Sequence, residues 1–467
     1  MSALILAGVH LSSLRAAIRS RHSKETSMTP ARFYTLLVLA ISIWGAAAGP
    51  AQSASARLGE KDIIDAYHYL LGRLLVLRQE HLDLRENLKW NQLVHREPGA
   101  VTWANPNLDV AYSEAWVAVD KTSCTIVEVP VIKKRYYTVQ VLNGWGETVA
   151  NINERYFPQR QTGLFALCLK GAEVRLPAAT QRIDLPGRKA RILARVELGA
   201  DPAEAQQLQK QIKLHATGTP KIEPPVEITL FESNQLPRVE AFNRADAVLA
   251  SEPDSSPGME ALQAKVRAVS KAAREVEELK RMDEVIFKQA IPQFMAALQK
   301  LGTTRNGWNR PARTGNYGDD YRTRSLVNFA GIWANNNKEV VYYKTNTDGK
   351  GKALDGSLTY SLTFPKAQLP ASLVRYFWSV IAVDSGKFHV IENPYKRYLF
   401  NNQAKLEPNK DGSLTLVFAA KLPAGVPESN WLPTPPGQNY NLTFRLYGPA
   451  EKVVSGGYFP PPLVQKN

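Results

Sequence analysis

Two stretches of the chain carry apolar side chains at every second position, and the stretch between them does not. From about residue 101 to 200 the runs Val110 to Val119, Thr125 to Val131, Tyr136 to Leu142 and Leu164 to Leu169 are short and rich in Val, Tyr, Ile and Leu. Asp120-Lys121, Lys133-Lys134, Asn143-Gly144 and Lys170-Gly171 punctuate them. A period of two places alternate side chains on opposite faces of a strand. Several such strands with turn signals between them describe a sandwich or a barrel. From residue 326 the pattern returns in Val340 to Tyr343, Ser357 to Phe364, Tyr376 to Val383, Phe388 to Ile391, Ser413 to Ala419 and Tyr440 to Tyr447.

The intervening residues follow the period of a helix. Ala203 to Lys213 is one such segment, and Met259 to Leu301 is a longer one with Ile286, Ile291, Phe294 and Leu298 as its buried stripe. Pro292 lacks an N–H and is expected to kink or divide it. Residues 58–95 also read as helix, with Ile63, Ile64, Tyr67, Leu70, Leu71, Leu74, Leu75 and Leu77 at helical spacing. Pro98-Gly99 breaks that pattern, and 302–325 reads as a polar, ordered connection.

Apolar residues at 44% and charged residues at 22% exclude a disordered, collagen-like or coiled-coil chain. The formal net charge is +15, yet no five like charges are consecutive, and Lys133-Lys134-Arg135 is the densest cluster. Nucleic-acid binders concentrate charge on one arm or face, so no nucleic-acid partner is expected. A solvated basic surface, or one that meets anionic polysaccharide or lipid headgroups, fits better.

The address lies at the N-terminus. Arg32 precedes the apolar run Phe33 to Ile43, and Ala54-Ser55-Ala56 forms a small-x-small cleavage pattern. This order describes a secretory signal over residues 1–56, with Met28 as the expected start, and the apolar run is too short to span a bilayer. The mature chain is expected to be exported, periplasmic or secreted, without a transmembrane segment. Its two cysteines, Cys124 and Cys168, lie in strand-like runs. An oxidising compartment permits a disulfide between them, and two buried thiols are the alternative.

Motifs that announce a chemistry are sparse. There is no Gly-x-Ser-x-Gly elbow, phosphate loop, His-Glu-x-x-His or dinucleotide fingerprint. Asp384-Ser385-Gly386 between two strand runs reads as a hairpin turn. No two histidines are spaced to share a metal from one element, so no cofactor is expected, with a divalent metal from distant segments left open. Two stretches are richer in polar chemistry than plain loops require. The first joins Asn91-Gln92-Leu93-Val94-His95 to Asn105-Pro106-Asn107-Leu108-Asp109-Val110-Ala111-Tyr112-Ser113. His95 or Asp109 would be a general base and Tyr112 an acid, with Asn107 and Ser113 as binding groups. The alternative is that Asn107 and Asp109 shape turns. The second joins Asn393-Pro394-Tyr395-Lys396-Arg397-Tyr398, Asn430-Trp431-Leu432-Pro433 and Arg445-Leu446-Tyr447. Arginine beside Trp and Tyr can stack on sugars or hold a carboxylate, or the aromatic rings can pack the core.

These stretches carry a resemblance. Pro-Asn-x-Asp-x-x-Tyr-Ser-x-Ala-Trp at 106–116, Arg135-Tyr136-Tyr137 and Thr162-Gly163 resemble domain of unknown function 1254, from about Asn91 to Arg195. Tyr317-Gly318-x-Asp320-Tyr321-x-x-Arg324, Leu354-Asp355-Gly356, Phe377-Trp378-Ser379, Asn393-Pro394 with Arg397-Tyr398, Asp411-Gly412-Ser413-Leu414, Asn430-Trp431-Leu432-Pro433 and Arg445-Leu446-Tyr447-Gly448-Pro449 resemble domain of unknown function 1214. Bacterial exported proteins of this kind pair the two in this order. The usual Asp-Thr-Leu-Tyr-Ser is here Asp109-Val110-Ala111-Tyr112-Ser113.

The resemblance implies a mainly β (α+β) protein of two jelly-roll β-sandwiches, at 99–200 and 326–467. A helical segment at 57–98 precedes them and a helical connection at 201–325 joins them. It also marks His95, Asn107, Asp109, Tyr112, Ser113, Trp378, Asn393, Arg397, Tyr398, Asn430, Trp431 and Arg445 as motif positions. Two classes of function follow. One is an enzyme acting on a small or polymeric envelope substrate by hydrolysis or elimination, with Arg397 or Arg445 anchoring an anionic group. The other is a non-catalytic carbohydrate- or anion-binding protein, or a structural envelope protein. The expected partner is a small molecule or an anionic polysaccharide.

Overall fold

The computed structural model describes residues 57–98, 106–311 and 313–466. The signal-like run and the expected start at Met28 lie outside them, as does Gly99.

Helix α1 (Glu60–Arg85) is buried on nearly every side from Ile63 to Glu80. A helix apolar on one stripe could not occupy such a place, and here the other faces carry Asp65, Arg73, Arg78 and Glu80, each supplied with a partner. The helix expected over 58–95 stops at Arg85. Asn87 and Asn91 take φ of 67° and 55°, left-handed turns that asparagine tolerates. The chain then enters strand β1 (Val94–His95).

The first sandwich continues with β2 (Val110–Ala118), β3 (Thr125–Val129), β4 (Tyr137–Leu142), β5 (Thr148–Ile152), β6 (Gly163–Leu169), β7 (Gln181–Leu185) and β8 (Lys189–Glu197). Helix α2 (Pro202–Gln211), capped by the Asp201 side chain, leads to β9 (Lys213–Ala216). One sheet has the order β1-β2-β8-β4-β5 and the other β7-β6-β3-β9. Val117, Val139 and Ile192 from the first meet Val127, Phe165 and Leu185 from the second in one core. Cys124 and Cys168 are joined in a disulfide.

The helical region holds α3 (Ala245–Ala250), α4 (Glu260–Ala272), α5 (Val276–Val285) and α6 (Ile291–Gln299). Pro292 divides this stretch as its chemistry requires, and a π-helical turn at Ile286–Ala290 absorbs the missing hydrogen bond. Ile286, Phe294 and Leu298 are buried and Ile291 is partly so.

The second sandwich begins earlier than residue 326. Its first hairpin is β10 (Thr303–Arg305) and β11 (Trp308–Arg310), and helix α7 (Tyr321–Gly331) follows, capped by Asp320. Strands β12 (Val340–Thr345), β13 (Tyr360–Phe364), β14 (Trp378–Asp384), β15 (Leu399–Asn401), β16 (Leu414–Ala419), β17 (Trp431–Pro433) and β18 (Tyr440–Tyr447) come next. The short α8 (Glu451–Val454) and β19 (Val464–Gln465) complete it. The sheet orders are β10-β11-β12-β18-β14-β15 and β17-β16-β13-β19. Residues 388–391 form no strand, only a bridge from Val390 to Val383. Asp384 accepts hydrogen bonds from the backbone N–H of Gly386, Lys387 and His389, which makes 384–389 the expected turn.

Each sandwich has one sheet whose outer face is largely covered by protein rather than wet. Residues Tyr112, Glu114, Arg191 and Arg195 leave the first sheet on the side away from its core. Tyr342, Lys344, Thr443, Arg445 and Tyr447 do the same in the second. The two outer faces meet. Val110, Tyr136, Val340, Phe377 and Tyr447 form an apolar layer there, and the Phe377 and Tyr447 rings stack 4.1 Å apart. Glu339, wholly buried, pins the layer. It accepts hydrogen bonds from Arg155 Nη2 at 2.6 Å, Tyr136 OH at 3.0 Å and Asn153 Nδ2 at 3.2 Å, all from the first sandwich.

Candidate functional site

Beside that apolar layer the two outer faces part around a cavity of about 380 Å³. Strand β2 contributes Tyr112 and Glu114, β8 Leu193 and Arg195, β12 Tyr342 and Lys344, and β18 Thr443 and Arg445. These are alternate residues on each strand, as the pleat demands. Asn107 and Arg96 stand at its edge. The opposite wall is apolar, with Val327 and Ala330 from the end of α7, and then Ile332 and Trp333. Trp333 takes φ of 69°, a left-handed conformation that a bulky side chain rarely adopts. Its ring packs edge-on against Trp116 at 5.7 Å.

The polar wall is cationic. Arg96 and Arg191 both bond Glu114, and Arg191 also pairs with Asp83 at 3.2 Å, so that carboxylate is already engaged. Arg195 donates to Gln140 Oε1 at 2.8 Å and lies over the Tyr112 ring, with no carboxylate partner among the described residues. Tyr112, Tyr136, Tyr342 and Tyr447 surround it, and burial raises the last three phenols above their ordinary range. Arg445 donates to the Pro106 carbonyl at 3.1 Å and lies 6.0 Å from the centre of the Tyr342 ring. Lys344 is reached by solvent through the cavity, and no hydrogen bond or ion pair to another described residue engages its ammonium. Enclosure by protein, with Arg445 beside it, pushes that ammonium down to about 8.

The residues singled out from sequence divide between this cavity and elsewhere. Asn107, Tyr112 and Arg445 line it, and Asn107 Nδ2 donates to Tyr447 OH at 2.5 Å. Asn107 Oδ1 also accepts from the Asp109 N–H at 3.0 Å, so it shapes the turn as well. Asp109 is buried behind the cavity, where Asn401 Nδ2 donates to it at 2.8 Å and burial raises its carboxyl. It borders a separate cavity of about 170 Å³. His95 and Ser113 are register partners on β1 and β2, with Nδ1 and Oγ 2.8 Å apart. They therefore leave the sheet on the face opposite to Tyr112. Burial, then Lys210, lowers the His95 imidazole.

The remaining motif residues serve the second sandwich. Trp378 is in its core. Asn393 bonds the carbonyls of Ile391 and Arg397 and the N–H of Arg397, closing a turn. Asn430 joins Glu407 and Thr415 through their main chains. Arg397 holds Glu428 at 2.9 Å and lies over Trp431, whose indole N–H donates to the Ala419 carbonyl. Tyr398 OH donates to Glu392 at 3.0 Å.

Arg195, Tyr342 and Lys344 were not among the residues singled out. Their signal is polar or aromatic side chains on the outward positions of strands, which from sequence alone reads as an ordinary wet face. A further cavity of about 350 Å³ lies in the helical region between Leu74, Phe231 and Arg244, and no motif residue borders it. Among the described residues, no group of three or more His, Cys, Asp or Glu side chains could hold a metal ion. No helix among them is long and apolar enough to cross a membrane.

Comparison with known proteins follows the same division. Residues 90–216 match the model of a protein of unknown function, DUF1254, and residues 339–451 match that of another, DUF1214. The VPA0106 protein from Vibrio parahaemolyticus has a similar fold, with a TM-score of 0.65 at 19% identity, over 87% of this chain and 100% of that one. An uncharacterised protein from Burkholderia cenocepacia is more distant, with a TM-score of 0.40 at 12% identity, over 87% of this chain and 94% of that one. No curated protein matches the sequence.

Proposed function

Since the chain pairs an N-terminal DUF1254 domain with a C-terminal DUF1214 domain, we propose that the pair exists to build one binding site for a small amphipathic organic anion. One observation carries this reading. The cavity between the domains sets Arg195 and Lys344, which lack a carboxylate partner among the described residues, against an apolar wall ending in Trp333. A carboxylate, phosphate or sulfonate would meet the cations, and an aliphatic or aromatic body would lie along α7. The volume of about 380 Å³ suits a ligand of small-metabolite size rather than a polymer.

Binding is better supported than hydrolysis or elimination with His95 or Asp109 as base and Tyr112 as acid, because His95 leaves the sheet on the face opposite to Tyr112 and Asp109 borders a separate cavity. Export is part of the proposal. It is supported by the signal-like run before Arg57 and by the Cys124–Cys168 disulfide, which belongs in an oxidising compartment.

The test is calorimetric titration of the purified protein with small carboxylates, phosphates and sulfonates carrying short or bulky apolar groups. Saturable binding of one class, weakened in Arg195→Gln, is expected. Binding that ignores the substitution, or none in any class, would overturn the reading.

A further inference from the structure

Lys344 differs from other lysines of the chain. Lys189 is paired with Glu80 at 2.7 Å, and Lys265 with Asp62 at 2.8 Å. Lys344 has no such partner among the described residues, and it stands on the wall of the cavity, where solvent reaches it. Its register partner on β18 is Thr443, and the charged and titratable groups around it are cations and phenols. Arg445 is its diagonal neighbour on β18, Tyr342 precedes it by two residues on the same face, and Arg195 and Tyr112 look across from β8 and β2. The one carboxylate among the described residues of the cavity lining, Glu114, is held by Arg96 and Arg191.

A lysine in this setting is poorly stabilised as an ammonium, and a free amine is a nucleophile toward carbonyl carbon. We propose that Lys344 forms an imine with an anionic ligand that carries an aldehyde or ketone beside its acid group, of which a 2-oxo acid is the simplest class. The inference rests on the anion site described above: Arg195 and Arg445 hold the carboxylate and so deliver the adjacent carbonyl to Nζ.

The step balances without an external reagent. The Nζ lone pair forms a bond to the carbonyl carbon, and the C=O π pair moves onto oxygen. That oxygen takes the proton released from nitrogen, giving a carbinolamine. The nitrogen lone pair then re-forms a double bond to carbon while the hydroxyl leaves as water, taking up one proton, and the nitrogen keeps its last hydrogen as a protonated imine. The Tyr112 phenol, on the same wall of the cavity, is placed to supply that proton and to recover it when water reverses the reaction. Nothing is oxidised or reduced. The depressed Lys344 ammonium agrees with this role. A value near 8 in place of the ordinary 10.4 leaves on the order of a hundredfold more free amine at neutral pH.

The experiment is reductive trapping. The purified full chain is incubated at neutral pH with pyruvate, 4-methyl-2-oxopentanoate or phenylpyruvate and cyanoborohydride. Intact mass and peptide mapping follow, and calorimetry measures binding of each acid in parallel. The expected result is a single saturable adduct on Lys344, enriched about a hundredfold over surface lysines, suppressed by the matching 2-hydroxy acid and absent from Lys344→Arg. Adducts scattered over surface lysines, or equal in Lys344→Arg, would overturn the inference. Binding of an oxo acid without an adduct would also overturn it and leave the anion-binding reading intact. Neither binding nor adduct would overturn both.

Discussion

Arg195 and Tyr112 are directly opposed on adjacent strands, and the guanidinium carbon lies 5.5 Å from the centre of the phenol ring. The pair fixes a cation at the cavity wall before any ligand arrives. Gln140 locks the other side of the guanidinium at 2.8 Å. A preorganised charge of this kind binds an anion with little further loss of side-chain freedom.

Arg195→Gln removes one charge-assisted contact, an interaction typically worth about 1.5–3 kcal/mol. Affinity for the anion should fall roughly ten- to a hundredfold in calorimetric titration. Arg96→Gln should change affinity far less, since Glu114 already engages Arg96. Equal losses in the two variants would mean that only the general positive field matters.

Lys344 predicts a pH dependence with a definite sign. Its ammonium titrates near 8 in the folded protein and in the ordinary range when unfolded. Between those values the unfolded chain binds more protons, so this group makes stability rise with pH. Its destabilising effect is fully present below about 8 and fades above it. Lys344→Met should therefore unfold at a higher temperature than the native chain at pH 7, and the gap should narrow from pH 8 to 10. Affinity for a simple acid without a carbonyl should decline over the same range in the native protein and not in the variant.

Glu252 predicts the opposite slope. It is buried beside Arg73 and receives a hydrogen bond from the Gly144 N–H at 3.4 Å, and burial pushes its carboxyl up to about 7. The folded state then binds more protons than the unfolded one between about 4.5 and 7, so stability falls as pH rises through that window. Glu252→Gln should flatten the decline, by up to roughly 3 kcal/mol at pH 8 if the full shift is expressed. Thermal unfolding from pH 4.5 to 8 checks this. Parallel curves for the two proteins would refute it.

Gly72 predicts how the roof of the cavity is held. A Cβ there would lie 2.4 Å from Ser325 Oγ on α7, whose hydroxyl donates to the His68 carbonyl at 2.7 Å. Gly72→Ala should separate α1 from α7 and cost about 1–3 kcal/mol. Because α7 leads directly into Ile332 and Trp333 of the cavity wall, ligand affinity should weaken as well, although Gly72 is not part of the cavity lining. Unchanged affinity in a destabilised variant would show that the roof does not depend on this contact.

The fold was largely legible, because the period of two and the breaker at Pro292 are local signals. The missed pieces are those where local signals are weak. The β10–β11 hairpin lies in a polar stretch, and β8 keeps the period of two but spends two of its four core positions on Ala190 and Ala194, and alanine is a weak strand former. The candidate site was legible only in part. Asn107, Tyr112 and Arg445 reach the cavity, but no local pattern says that the outward positions of two sheets more than a hundred residues apart face one another. Conversely, Asn393 and Asn430 look chemical in sequence because amides that tie loops together are rich in polar atoms. Residue types alone suggest His95 or Asp109 as a base for Tyr112, but the pleat puts Tyr112 on the face opposite to Ser113 and its register partner His95, and Asp109 borders another cavity.

The Glu339 anchor bears on how such a chain can be inherited. That carboxylate is buried only while Arg155, Tyr136 and Asn153 surround it. Severed from its neighbour, the second sandwich would expose Phe377 and Tyr447, and the first would expose Tyr136. Either half moved alone into another gene would need a new surface over that layer, and the cavity, built from both, is passed on only when the two travel together.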